Sequence, residues 1–260
     1  MFNIFKKKIT EKTSVSANGM MFLIDPFNSH FWGMLFSSGS WEPETFDFYK
    51  KYTRPDKEII DIGGWIGPTM LIAYSLNPKK IHMVEADPAN FQILKSNCLR
   101  NNMQDKVELL HACLTNKTGD IIEFGSTPDR CTSTKHINTP GGIKVLSLDI
   151  MEYLKSKDLE NVCIIKIDTE GAEAMFAKGL EYISKFPGIA VNLSMHPPFY
   201  TDKIQAADTL IPVFQKFQTF DAFGNPISID DIRKLILADN PNTVWPGKTG
   251  EFFSLNLISK

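Results

Sequence analysis

The sequence is poor in cysteine, and its cysteines lie far apart, at Cys98, Cys113, Cys131 and Cys163. None of them forms a C-x-x-C pair, and their spacing fits no zinc-binding pattern. The sequence therefore does not indicate a disulfide framework. Reduced thiols in a cytoplasmic protein are expected instead.

The sequence also lacks long apolar runs and an excess of basic charge. It has no stretch of about 18 apolar residues, so no transmembrane segment is expected. The residues before the short basic run of Lys6, Lys7 and Lys8 are too few for the apolar core of a signal peptide. The net charge is −2 and no basic stripe is interleaved with aromatic residues, so nucleic acid is not an expected partner.

From residue 58 onward, apolar segments alternate with helical patterns. Strands are predicted over residues 58–62, 80–85, 107–114, 120–124, 143–146, 162–167 and 188–195. Helices are predicted over residues 68–76, 89–101, 150–155, 172–184, 202–216 and 230–237. Such alternation predicts a parallel sheet with helices on both faces, and residues 219–223 and 252–258 predict a closing antiparallel pair.

The first 56 residues differ from the rest. Residues 1 to about 20 are polar and are predicted to form a loose tail, whereas residues 21–56 are rich in aromatic side chains. We predict that the aromatic residues pack in an N-terminal cap, and a lid over a ligand site is the alternative. The main domain is predicted over residues 57–260.

Residues 58–69 predict a buried strand that enters a glycine turn and then a helix. The turn does not fit the dinucleotide pattern G-x-G-x-x-G, because Trp65 and Pro68 occupy two of its positions. It fits D-x-G-x-x-x-G, which begins at Asp61 and is typical of the S-adenosylmethionine loop of Rossmann-like methyltransferases. An ordinary tight turn between strand and helix is the alternative.

Glu85 ends the next predicted strand, 24 positions after Asp61, which is the length of about one strand–helix–strand unit. A carboxylate at this position can accept hydrogen bonds from both hydroxyls of a ribose. Because ligands of such sheets bind beyond the carboxyl ends of the strands, we predict an S-adenosylmethionine site there. The residues predicted to bind this cofactor are Asp61, Gly63, Gly64, Trp65, Gly67, Pro68, Thr69, Glu85, Ala86, Asp87, Ala112, Cys113 and Asp168.

A further informative segment, residues 165–173, reads Ile-Lys-Ile-Asp-Thr-Glu-Gly-Ala-Glu. Together with residues 60–69 and 84–88, it makes the chain resemble the FkbM family of S-adenosylmethionine-dependent methyltransferases over roughly residues 41–200. The resemblance implies a Rossmann-like class I fold, with a seven-stranded, mostly parallel sheet whose last strand is antiparallel. It also implies methyl transfer to oxygen. Many relatives act on sugar hydroxyls of glycolipids, capsules and other surface polysaccharides, or on natural products.

The chain departs from the family pattern in two places. Gly64 and Trp65 replace the small residue and the asparagine that usually follow the first glycine. The family often carries Glu-x-His on the strand after the Asp-x-Glu-Gly segment, whereas this strand carries His196 without the glutamate.

Methyl transfer to a hydroxyl needs a group that removes the proton, and a positioned general base contributes about 10²–10⁴-fold to the rate. We predict His196 as this base and Asp168 as the alternative, with Glu170 in the catalytic set. A histidine hydrogen-bonded in the turn would explain His196 equally well, and a favourable helix dipole would explain Glu170. No metal is included in the predicted site, although Asp168, Glu170 and a water could hold Mg²⁺.

The acceptor is predicted to contact Glu173, Asn192, Arg130 and Lys135, the last two from a long loop whose solvated face is the alternative explanation. The prediction is a cytoplasmic S-adenosylmethionine-dependent O-methyltransferase that acts on a nucleotide-linked or lipid-linked sugar precursor of a surface polysaccharide or capsule. The alternatives are a natural-product methyltransferase, a nicotinamide-dependent oxidoreductase and a non-catalytic module that binds the cofactor. A homo-oligomer is left open.

Overall fold

The apolar segments predicted as strands form the centre of the fold. The computed structural model describes residues 14–26, 32, 36, 42–124, 142–238 and 252–260. The strands are β1 (Ser14–Ala17), β2 (Met20–Leu23), β3 (Glu58–Ile62), β4 (Lys80–Glu85), β5 (Val107–His111), β6 (Cys113–Thr115), β7 (Ile121–Phe124), β8 (Ile143–Asp149), β9 (Val162–Ile167), β10 (Ala190–Met195), β11 (Phe217–Asp221) and β12 (Phe253–Ser259). The α-helices are α1 (Pro43–Tyr52), α2 (Pro68–Ser75), α3 (Pro88–Arg100), α4 (Ile150–Lys155), α5 (Ala177–Ile183), α6 (Lys203–Phe214) and α7 (Ile229–Leu237).

Seven strands form the main sheet in the order β11-β12-β10-β9-β3-β4-β5. Five adjacent strands run parallel to one another, namely β10, β9, β3, β4 and β5. β12 is antiparallel to both of its neighbours, β10 and β11. The predicted seven-stranded class I sheet with its last strand antiparallel is confirmed. Within the described ranges, no helix has the length and apolar character needed to cross a membrane.

Successive residues of the central strands supply two separate apolar cores, because side chains of a strand point alternately to opposite faces. Ile59 and Ile164 belong to one core, and Ile60 and Ile165 to the other. Both faces of the sheet are therefore covered, which places the ligand site at the carboxyl edge of the strands.

The predicted strand over residues 107–114 is wrong in its second half. The chain leaves the main sheet after His111, and Cys113–Thr115 pairs instead with β8 in a three-stranded sheet of order β6-β8-β7. β8 extends to Asp149, three residues beyond the predicted strand end at Leu146. An apolar run carries no information on which neighbour it will pair with, so local sequence could not indicate the break.

The predicted helix over residues 172–184 is also wrong at its beginning. Residues Glu173–Phe176 form a 3-10 turn, and the α-helix begins only at Ala177. The chain reaches this turn through Glu170 and Gly171, both with left-handed φ angles, of 51° and 103°. That tight turn after β9 keeps residues 168–171 beside the sheet edge.

The loose tail predicted for residues 1 to about 20 is wrong for residues 14–20, which form most of a hairpin of β1 and β2. Asn18 and Gly19 connect the strands with φ angles of 50° and 79°, as the Asn-Gly turn of a two-residue hairpin requires. The side chain of Asn101 fixes the end of β2, because it accepts from the N–H of Leu23 (2.8 Å) and donates to its carbonyl oxygen (2.7 Å).

Candidate active site

The glycine turn after β3 contacts two neighbouring strand ends. The N–H groups of Gly63 and Gly64 both donate to the carbonyl oxygen of Val84, at 2.9 Å each. Gly63 has a φ angle of 88°, and a Cβ atom there would lie 1.8 Å from the carbonyl oxygen of Asp168. Only glycine fits at this point, so the turns after β3 and β9 touch each other.

Glu85 joins the glycine turn to the loop after β4. One carboxylate oxygen accepts from the N–H of Trp65 (2.8 Å), and the other accepts from the N–H of Asp87 (2.7 Å). The residue is 6% exposed. Trp65 has a left-handed φ angle of 48°, a conformation that costs a non-glycine residue about 1–3 kcal/mol. The contact with Glu85 offsets part of that cost.

Asp61 lies buried behind the glycine turn. Its Oδ2 accepts from the hydroxyl of Tyr49 (3.1 Å) and from that of Thr69. Its Oδ1 makes no hydrogen bond to any residue in the described ranges. Burial raises the pKa of Asp61, although the charge of Lys166 and the two hydroxyls act in the opposite direction. Asp61 thus holds helices α1 and α2 at the site.

Lys166 is a site residue that the sequence reasoning missed. It is 3% exposed, and its ammonium lies 2.9 Å from Oδ2 of Asp168. Burial alone would lower its pKa, but the carboxylates of Asp168, Asp61 and Glu42 raise it above the ordinary value, so the side chain stays charged. A lysine in the apolar strand β9 was the available signal, because buried lysines are almost always paired.

His196 is surrounded by the carboxylates of Glu173, Glu170 and Asp168. Its Nδ1 is 2.8 Å from Oε1 of Glu173, and its Nε2 is 3.5 Å from Oε2 of Glu170 and 3.6 Å from Oδ1 of Asp168. Glu173 also accepts from the N–H of Gly171 (3.0 Å) and is fully buried. Glu173 therefore orients the imidazole.

The carboxylates decide the protonation of His196. Burial alone would lower its pKa, but the hydrogen bond and charge of Glu173 and the charges of Asp168 and Glu170 raise the pKa to about 9. Burial raises the pKa of Glu170 to about 7, against the opposing charge of His196. A protonated imidazole accepts no proton, so His196 can act as a base only in its deprotonated form.

A cavity of about 280 Å³ lies between the glycine turn and His196 with its neighbouring carboxylates Asp168 and Glu170. The predicted residues that line it are Gly63, Gly64, Trp65, Pro68, Thr69, Glu85, Ala86, Ala112, Cys113, Asp168, Glu170 and His196. Glu42, Lys166, Ser194 and Phe252 line it as well and were not predicted. The cavity thus joins the predicted cofactor residues to the predicted catalytic residues, whose roles remain predictions.

The other predicted residues lie outside the lining. Asp61 and Gly67 stand behind the turn, and Asp87 caps α3 by accepting from the N–H groups of Ala89 and Asn90. Asn192 lies inside β10, where its amide donates to Oδ1 of Asn256 (2.9 Å). Arg130 and Lys135 fall outside the described residues.

The chain is similar to known methyltransferases. The family described as "Methyltransferase FkbM domain" matches residues 61–235. A curated relative, the ribosomal protein L11 methyltransferase of Dictyoglomus thermophilum, is 25% identical over 173 residues, which are 60% of this chain and 54% of that protein. The chain thus spans about half the length of that relative.

One solved structure supports the fold, and a second is similar to this chain. A putative rRNA-methylase from Clostridium thermocellum superposes with a TM-score of 0.51 at 8% identity, over 84% of this chain and 95% of that one. An FkbM methyltransferase from Methylobacillus flagellatus KT superposes with a TM-score of 0.46 at 15% identity, over 82% of this chain and 50% of that one. Because the family match covers more than half of the chain, this protein belongs to the FkbM methyltransferase family.

Proposed function

We propose that the protein is an S-adenosylmethionine-dependent O-methyltransferase that acts in the cytoplasm on a sugar hydroxyl. The observation that carries the proposal is that Glu85 and the glycine turn line the same cavity as Asp168, Glu170 and His196. One end of the cavity suits a nucleoside and the other suits a hydroxyl that must lose a proton.

The residues present fit the cofactor. Glu85 presents a carboxylate to the cavity, and a carboxylate oxygen can accept more than one hydrogen bond, including one from a ribose hydroxyl. Glu42 is a half-buried carboxylate in the cavity wall, and it suits the positive ammonium or sulfonium of the methionine portion. The site contains no phosphate-binding G-x-G-x-x-G turn, which disfavours a dinucleotide.

Bound S-adenosylmethionine would supply a methyl group on a sulfonium. The acceptor hydroxyl would give its proton to a base of this chain as it took the methyl group, and the electron pair of the broken carbon–sulfur bond would remain on sulfur. The protein must hold the three atoms in line and exclude water. His196 remains our proposed base and Asp168 the alternative, since both face the cavity at strand ends.

The sugar acceptor rests on the family resemblance, and two features of the site support it. Asp168 and Glu170 offer carboxylate oxygens, which accept hydrogen bonds from hydroxyls. Phe252 adds an aromatic ring to the wall, 4.9 Å from the ring of His196 and 5.1 Å from that of Phe199. We propose a nucleotide-linked or lipid-linked precursor of a surface polysaccharide, with a natural product as the alternative acceptor.

Isothermal titration of the purified chain tests the cofactor. We expect saturable binding of S-adenosylmethionine and S-adenosylhomocysteine and no binding of NAD. Tight NAD binding without binding of the two sulfur nucleosides would instead indicate an oxidoreductase.

A transfer assay with methyl-labelled S-adenosylmethionine tests the acceptor. The panel contains nucleotide sugars, lipid-linked sugars, hydroxylated natural products and, because of the relative's name, ribosomal protein L11. We expect label on a sugar with a mass gain of one CH₂ group, and turnover strongly reduced in His196→Ala at unchanged cofactor affinity. Label on L11 alone would contradict the sugar proposal, and full turnover in His196→Ala would place the base elsewhere.

A further inference from the structure

We propose that Asp168, Glu170 and His196 form a binding site for one divalent transition-metal cation. Each side chain offers one ligand atom, and the three atoms lie within 4.8 Å of one another. The proposal concerns cation binding by the chain itself, so it is tested without cofactor or acceptor. A cation on Nε2 of His196, with Glu173 on Nδ1, would leave neither nitrogen to accept a proton, and the general base would then be a group other than His196.

The distances fit ligands around a common centre. Nε2 of His196 is 3.5 Å from the Glu170 oxygen and 3.6 Å from the Asp168 oxygen, too far for good hydrogen bonds. Ligand atoms about 2.1 Å from one metal ion lie about 3–3.5 Å apart at octahedral or tetrahedral angles. A small inward movement of the side chains would complete the coordination.

The remaining atoms of two of these side chains are held by neighbours. Lys166 binds Oδ2 of Asp168 at 2.9 Å, which leaves Oδ1 toward His196. Glu173 binds Nδ1 of His196 at 2.8 Å, which leaves Nε2 toward the two carboxylates. A metal-binding histidine usually donates from its other ring nitrogen to a carboxylate, as Nδ1 of His196 can to Glu173.

One buried atom at this point lacks a hydrogen bond. Oε2 of Glu170 is buried and makes none to any residue in the part of the chain that the structure describes. It lies 3.5 Å from Nε2 of His196, a residue that is 5% exposed. A buried polar atom without a partner is costly, and a cation between the two atoms would satisfy it.

Charge points the same way. Asp168, Glu170 and Glu173 surround one imidazole, and Lys166 is the ammonium that pairs with this group. Buried carboxylates in excess of cations are unfavourable unless they coordinate a metal ion or take up protons.

The ligand types select the cation. One imidazole nitrogen with two carboxylate oxygens suits Mn²⁺, Fe²⁺, Co²⁺ or Zn²⁺ better than Mg²⁺ or Ca²⁺, which prefer oxygen ligands alone. The three residues line the cavity, so further coordination positions face the space where an acceptor would bind. We commit to Mn²⁺ as the probe because it is paramagnetic.

The test titrates Mn²⁺ into the full chain, purified without a histidine tag and stripped with EDTA, in the absence of cofactor and acceptor. Electron paramagnetic resonance measures free Mn²⁺. We expect one Mn²⁺ bound per chain, with an affinity at least about ten-fold weaker in the isosteric variant Glu170→Gln, which loses an anionic ligand. Glu160→Gln, at an exposed position, is the matched control and should bind as the wild type does.

Pulsed resonance on the wild-type complex supplies a measurement that needs no variant. We expect the nitrogen coupling of one coordinated imidazole, and we expect His196→Gln to lose it. Circular dichroism checks the fold of each variant. Absence of saturable binding, a wild-type affinity in Glu170→Gln, or bound Mn²⁺ without nitrogen coupling would each overturn the proposal, and none of these results would bear on methyl transfer.

Discussion

At the scale of single residues, Glu85 links two loops through backbone hydrogen bonds. Its oxygens hold the N–H groups of Trp65 and Asp87, so the carboxylate is positioned before any ligand arrives. Trp65 stands where relatives usually carry asparagine, a residue that adopts left-handed φ angles more readily. Trp65 therefore depends more on the hydrogen bond from its N–H to Glu85 than an asparagine at this position would.

We predict that Glu85→Gln raises the dissociation constant of S-adenosylmethionine about 10- to 100-fold. A hydrogen bond to a charged group contributes about 1.5–3 kcal/mol, and about 1.4 kcal/mol is a ten-fold change. The amide also brings a donor toward an N–H that needs an acceptor. Isothermal titration measures the change, with Glu160→Gln as the control, and an unchanged constant in Glu85→Gln would remove Glu85 from the cofactor site.

At the scale of elements, the turn after β3 is fixed by how closely it approaches β9. Gly63 is the critical position, because a side chain there meets backbone of Asp168, whereas a side chain on Gly64 meets only the flexible end of Met83, at 2.6 Å. A side chain added at Gly63 would thus meet fixed backbone, and one added at Gly64 would meet a side chain that can move.

We predict that Gly63→Ala lowers the free energy of unfolding by at least about 2 kcal/mol, since it adds a backbone clash to a left-handed φ angle. Gly64→Ala should cost less, because a methionine end can move away. Urea unfolding of both variants without ligand measures the difference. Equal losses in the two variants would contradict the close approach of the turns after β3 and β9.

The opposite end of the sheet carries a surface ion-pair network on β5. Glu108 accepts from Lys157 (2.7 Å) and from Lys80 (2.6 Å), and these bonds lower its pKa from 4.5 to about 2. A carboxylate whose pKa is lowered on folding stabilises the protein above its unfolded pKa, and this contribution is lost as the pH falls toward the folded value.

We therefore predict that Glu108→Gln removes part of the loss of stability between pH 4.5 and about 2. The effect should be small, because Glu108 is 44% exposed and solvent weakens such pairs. Urea unfolding at a series of pH values measures it, with Glu160→Gln again as the control. A slope in this pH window identical to that of the wild type would show that the network does not stabilise the fold.

At the scale of the whole molecule, the N-terminal hairpin is part of the apolar core that backs the glycine turn. Phe22 packs in the same cluster as Ile66 and Leu94. The buried side chain of Asn97 accepts from the N–H of Asp25 (2.7 Å) and donates to the carbonyl oxygen of Ile66 (2.8 Å). Through Asn97, the segment after the hairpin is thus connected to the glycine turn. We propose that residues 1–56 act as a cap on the domain of residues 57–260.

We predict that Phe22→Ala lowers the free energy of unfolding by about 3–5 kcal/mol, as expected for a phenylalanine removed from a core. Phe22 is 2% exposed, whereas its neighbour Met21 is 63% exposed, so Met21→Ala is the control and should change stability by less than about 0.5 kcal/mol. Thermal or urea unfolding measures both. A Phe22→Ala variant as stable as the wild type would separate the hairpin from the core.

Strand periodicity and turn residues are local signals, and they predicted the strand segments and the edge at which Asp61, Glu85 and Asp168 stand. The number of seven strands in one sheet came from the resemblance to the family. It also carried the Asn18-Gly19 turn signal of the hairpin, which our interpretation overlooked. Near Ala112 the chain leaves the main sheet and pairs with β8. Which strand edge is free to pair depends on the whole fold, and no local sequence pattern records it.

Only the tertiary structure decided the chemistry around His196. Glu173 lies in the 3-10 turn after β9, and His196 follows the end of β10. Their contact and the approach of Lys166 to Asp168 set the charge of each group. A side chain's protonation depends on burial and on charges a few ångströms away, which come from residues distant in the chain. The sequence therefore named about half of the residues that line the cavity, and the fold decided how their charged groups are paired.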